Sequence, residues 1–122
     1  MLHVFSFEKL NVWIDSKELV KMIYAVTRKF PEDEKFGLTS QLRRAAVSVA
    51  SNLAEGSARR SAKDQAHFSQ IAYSSLLEIL TQLMLSNDLE FINEENLISG
   101  RTKIENLTMK VGNLKAFEAL KI

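Results

Sequence analysis

Apolar residues recur along this chain at spacings of three and four, the period of an α-helix, in four segments. The first runs from about 8 to 30 and stops ahead of Pro31, whose ring disfavours α geometry in the preceding residue. The polar run PEDEKFGL follows. The second segment begins near Thr39, a residue suited to capping free backbone N–H groups, and ends around Gly56. The third starts at Ser61, where Ser61 and Asp64 have the spacing of a capping box with Asp in the Glu place. It runs to about Asn87, and after DLEFIN the fourth covers about 93 to 119. No segment alternates in the period-two manner of a strand. The pattern predicts an all-α, up-down-up-down antiparallel four-helix bundle forming one domain over residues 1–122.

The same spacing names the expected core. It takes Leu42, Ala46, Val49 and Leu53 from the second helix, and Ile104, Leu107, Val111, Leu114 and Phe117 from the fourth. The third offers Phe68, Ala72, Ser75, Ile79 and Leu83, and the first Trp13, Val20, Ile23, Thr27 and Phe30. Two helices carry more than one stripe. Leu76, Leu77, Leu80, Met84 and Leu85 wrap most of the third, while Val12, Leu19, Met22 and Val26 form a second stripe on the first. A lone surface helix has one apolar face, and monomers seldom expose large apolar patches. Self-association through the first and third helices is therefore expected.

The second helix raises a separate question, because QLRRAAVSVASNLAEG combines small residues with polar ones. With Leu42 at zero, Arg44, Glu55, Ser48 and Asn52 fall at about 200° to 280°, along one flank of the core stripe. A hairpin turning near 57–61 would set Arg44 opposite Glu78 and Asn52 opposite Phe68. Arg44, Ser48, Asn52, Glu55 and Glu78 are thus read as a structural polar seam that fixes helix register, with Arg44–Glu78 as a bridge.

Overall charge changes little in this picture. Sixteen basic and fifteen acidic residues leave a formal charge of +1. Locally the signs separate: Gly37 to Lys63 holds five positive residues against one negative, and 96–122 holds five against two. The acids gather in PEDE and NDLEFINEE. Arg43, Arg59, Arg60, Lys63, Arg101, Lys103 and Lys110 are the expected nucleic-acid-binding residues, of the type whose phosphate contacts weaken with salt. There is no cysteine, which excludes disulfides and thiolate metal sites. No basic start followed by an apolar run marks a signal peptide, and no apolar run is long enough for a membrane span. A cytoplasmic protein without membrane attachment is expected.

Catalytic patterns are sparse. Asp64 and His67 have the three-residue spacing used in di-iron bundles, but such sites need a second pair and two further Glu. The only other histidine is His3. Arg60 and His67 are similar in spacing to the Arg-x4–6-His signature of HEPN-type ribonucleases, which makes that class the rival reading. No Ser–His–Asp or Cys–His constellation and no phosphate-binding Gly loop is present, so no catalytic residue, metal or cofactor is expected.

The runs FEKLNVW, IYAVTRKFPEDEKFGLTSQLRRAAVSVASNLAEG and IAYSSLLEILTQL resemble the bacterial 23S rRNA intervening-sequence proteins over roughly residues 5 to 118. One departure is that Tyr73, Ser74 and Ser75 stand where the family usually has Gly before the first Ser of GSLLE. The resemblance implies a bundle assembling into a ring-like homopentamer with no established catalytic activity. It is also similar to the accessory protein of diversity-generating retroelements, a basic pentamer that binds nucleic acid and a reverse transcriptase. The expectation is a non-enzymatic adaptor whose partners are its own copies and RNA, DNA or a nucleic-acid-processing protein. A purely structural, protein-binding oligomer is the blander alternative.

Overall fold

In the computed structural model, which describes residues 2–121, four helices account for most of the chain. They are α1 (Asn11–Thr27), α2 (Leu38–Ser57), α3 (Ala62–Asp88) and α4 (Glu94–Ala119). Short 3-10 turns occupy Ser6–Lys9 and Glu32–Glu34. Local chemistry explains the boundaries. The Ser61 Oγ accepts the Asp64 N–H at 3.1 Å and the Asn93 Oδ1 accepts the Asn96 N–H at 2.8 Å, so α3 and α4 begin on side-chain caps. For α2, Glu34 Oε1 accepts the Leu38 N–H at 3.0 Å, a task expected of Thr39. The α3 terminus is a Schellman arrangement: Phe91 N–H reaches Ser86 O at 2.8 Å and Glu90 N–H reaches Asn87 O at 3.0 Å. It places Glu90 at φ 65°, the one non-glycine residue with positive φ among the described residues.

Cross-helix pairs give the topology. Ser48 meets Ser75 and Gln41 meets Gln82, so α2 and α3 are antiparallel. Tyr73 pairs with Lys115 while Leu83 lies against Gly100, which makes α3 and α4 antiparallel too. Asp15 pairs with Lys110 and Met22 abuts Gly100, so α4 returns antiparallel to α1. Each helix packs on its sequence neighbours, and α4 closes onto α1. This is the bundle the apolar spacing predicts.

Leu19, Ile23, Leu42, Val49, Leu76, Ile79, Leu83, Ile104, Leu107 and Val111 form the fully enclosed centre. Burying each such side chain contributes about 1.5–3 kcal/mol, and together they hold the four helices in place. Two glycines let helices approach. A Cβ on Gly56 would sit 2.9 Å from Phe68 Cβ, and one on Gly100 would sit 2.7 Å from Leu83 Cδ1.

The structure corrects the reading of α1. Leu19, placed in the second stripe, lies in the core, and Val12, Met22 and Val26 are half-buried against it. Trp13 and Val20, expected at the centre, are only half-buried. Because α1 is flanked by both α2 and α4, it needs a wide apolar arc inside a single copy. Much of that flank is therefore used within a single copy. The third helix differs: Leu76 is buried and Leu80 half-buried, but Leu77, Met84 and Leu85 remain 46%, 43% and 48% exposed. In α4, Phe117 is exposed and Glu118 takes the inward position expected of it.

Candidate nucleic-acid interface

The connection between α2 and α3 is four residues long and basic. After Gly56 brings α2 against Phe68, the chain turns at Ala58 and presents Arg59 and Arg60 to solvent. The Arg59 guanidinium lies 4.6 Å from the Phe68 ring centre, and its backbone carbonyl accepts the Gln65 amide at 2.9 Å. Stacking and backbone tether hold Arg59 in place while its charge stays exposed. Lys63 follows in the first turn of α3, also exposed. The antiparallel path of α4 brings Lys121 to this same end, where its ammonium lies 4.2 Å from the Phe117 ring centre. Lys115 sits further along, 4.5 Å from the Tyr73 ring centre.

The opposite end is acidic. The rings of Phe30 and Phe91 meet at 5.5 Å, which brings the α1–α2 and α3–α4 connections together. Glu32, Asp33, Glu34, Asp88, Glu90, Glu94 and Glu95 all belong to this end, with Arg28, Lys29 and Lys35 as its bases. The two acidic runs read separately in the sequence are thus one feature. The bundle is polarised along its axis, with Glu8, Glu55 and Asp64 set among the bases of the other end.

The expected binding residues divide accordingly. Arg59, Arg60 and Lys63 come together at the basic end. Arg101 and Lys103 lie in the first half of α4, about 30 Å away along the axis at 1.5 Å per residue. Arg101 is paired with Glu105 at 3.1 Å, and Lys110 is half-buried and paired with Asp15. Arg43 is half-buried, its Nε donating to Thr27 Oγ1 at 2.9 Å and its guanidinium 4.6 Å from the Tyr24 ring centre. It clamps α1 to α2. Nothing in its sequence neighbourhood signalled this, because Tyr24 and Thr27 approach only through the bundle.

The polar seam is present with different bonds. Ser48 and Ser75 hydroxyls meet across it at 3.1 Å, and Gln82 Nε2 donates to Gln41 Oε1 at 3.1 Å. Asn52 turns back and donates to Ser48 O at 2.8 Å, so it bonds within its own helix instead of to a neighbour. Phe68 faces Gly56, one turn beyond the expected Asn52. Arg44 and Glu78 line one small cleft but form no ion pair, since the pairs among the described residues are Lys21–Glu18, Arg101–Glu105 and Lys110–Asp15. Both side chains lie at the solvent edge of the seam, and Glu78 accepts the Gln82 amide at 3.3 Å instead. Glu55 is exposed on the outer side of α2. The Gln41–Gln82 bond escaped the sequence reading because Gln41 was not assigned to the seam.

Arg60 and His67 are both exposed, and neither borders any of the four main clefts. The His67 ring packs edge-on against Phe68 with centres 5.5 Å apart. Among the described residues no group of three or more His, Asp or Glu is placed to hold a metal ion, and no helix is long and apolar enough to cross a membrane. No curated protein matches the chain significantly. The family model described as 23S rRNA-intervening sequence protein matches residues 8–113, which include α1 to α3 and most of α4, and the chain therefore belongs to that family.

Proposed function

We propose that this chain is a non-enzymatic, cytoplasmic adaptor that assembles through the outer face of α3 and binds RNA or DNA at its basic end. The observation that carries the reading is the axial separation of charge. Arg59, Arg60, Lys63 and Lys121 share one end, and the connections rich in carboxylates share the other. A phosphate backbone is drawn to the first and repelled by the second, which orients the polymer. Family membership supports a nucleic-acid-related role. The exposed Leu77, Met84 and Leu85 supply the self-association surface, and five copies is the number the sequence resemblance implies. A ring of such subunits repeats the basic end around its axis and strengthens binding by avidity.

The test joins mass with binding. Sedimentation equilibrium is expected to give five copies, and fluorescence anisotropy with single-stranded RNA and duplex DNA should show binding lost between about 50 and 200 mM salt. A monomer in sedimentation overturns the assembly, and absence of binding at the lower salt overturns the nucleic-acid reading. RNA cleavage that disappears in His67→Ala would overturn the non-enzymatic reading in favour of a ribonuclease using Arg60 and His67.

A further inference from the structure

At the basic end, a cavity of about 560 Å³ opens between all four helices, a volume in the range of small-molecule sites. Leu10, Val12, Leu53, Leu114 and Phe117 make its wall largely apolar. Into this wall the last turn of α4 sets Glu118, only 5% exposed. Its Oε1 is buried and has no hydrogen-bond partner among the described residues. A buried carboxylate without a partner is costly, so this group has an unfilled demand for a donor. The other ionisable group on the wall, Lys110, is already paired with Asp15, and the Gln65 amide is held by Arg59 O.

We propose that this cavity binds a small organic cation, a primary ammonium on a hydrocarbon or aromatic body. The ammonium donates to the Glu118 carboxylate, a charge-assisted bond in a site with few competing waters, and the body covers the apolar wall. A carboxylate ligand meets the reverse situation, an acid facing an acid. The outer surface at this end is basic, but solvent screens it within about a Debye length, so the contact with Glu118 sets the preference. Glu118 lies beyond the stretch matched by the family, while most of the cavity's lining lies within it.

Isothermal titration calorimetry of the full chain with octylammonium chloride, octanol and octanoate tests the assignment. Octylammonium is expected to saturate at one per chain and octanoate to bind about tenfold more weakly. Glu118→Gln should weaken octylammonium about tenfold while leaving octanol unchanged. Asn113→Trp, on the exposed rim, should weaken both and keeps the test independent of any folding defect in the Glu118 variant. Equal binding of the ammonium and the carboxylate overturns the proposal. So does octylammonium binding indifferent to both variants, or none by about 5 mM.

Discussion

Glu90 holds its left-handed conformation because the Schellman turn after α3 demands it, not because Glu favours it. A Cβ in that region costs about 1–2 kcal/mol, and glycine removes the cost. Glu90→Gly is therefore expected to raise unfolding stability by about 1 kcal/mol in urea titration, since Glu90 is exposed. The two close-packed glycines behave differently from each other. At Gly56 the new Cβ would meet Phe68 Cβ, an atom fixed to its backbone, whereas at Gly100 it would meet the mobile ends of Leu83 and Met22. Gly56→Ala should destabilise by about 1–3 kcal/mol through forced displacement. For Gly100→Ala the helix-propensity gain of about 1 kcal/mol offsets most of the strain, leaving its thermal midpoint closer to that of the parent. Capping residues such as Ser61 were legible because capping is a local rule. Gly100 and Glu90 were not, since their meaning depends on what lies across the bundle or on how the chain turns.

At the scale of elements, the three-and-four spacing placed all four helices to within a few residues, because amphipathic arcs are written directly in order. Its failure at α1 is instructive. The width of an apolar arc says how much surface must be covered, not which neighbours cover it. Leu19 looked surplus, yet it is fully enclosed in the common core of a single copy. The same ambiguity on α3 resolves the other way, since Leu77, Met84 and Leu85 face outward while Leu76 faces the core. Replacing Leu77 and Leu85 with Asp is accordingly expected to leave helicity nearly intact, since both side chains lie at the surface of a single copy. The same pair should convert the proposed assembly to single copies in sedimentation. Leu76→Asp, by contrast, places a charge in the core and should unfold the protein.

For the whole molecule, the relevant order is not along the sequence but along the bundle axis. Composition showed a near-neutral chain, and local counts showed basic and acidic runs, but only the antiparallel path sorts them to opposite ends. It also separates residues that were grouped together. Arg101 and Lys103 lie far from Arg59, Arg60 and Lys63, and Arg43 and Lys110 are engaged within the fold. Charge at a distance is screened within about 10 Å at moderate salt, so remote lysines add little to contacts made at one end. Arg59→Ala with Arg60→Ala should thus weaken RNA binding at both ends of a salt titration. It should also flatten the log–log slope by about 0.7 for each lost single-strand phosphate contact. Arg101→Ala with Lys103→Ala removes the same formal charge and should leave that slope unchanged. Equal losses from the two double variants would mean that net charge, not its position on the axis, governs binding, and the polarised bundle would have no role in orienting the polymer.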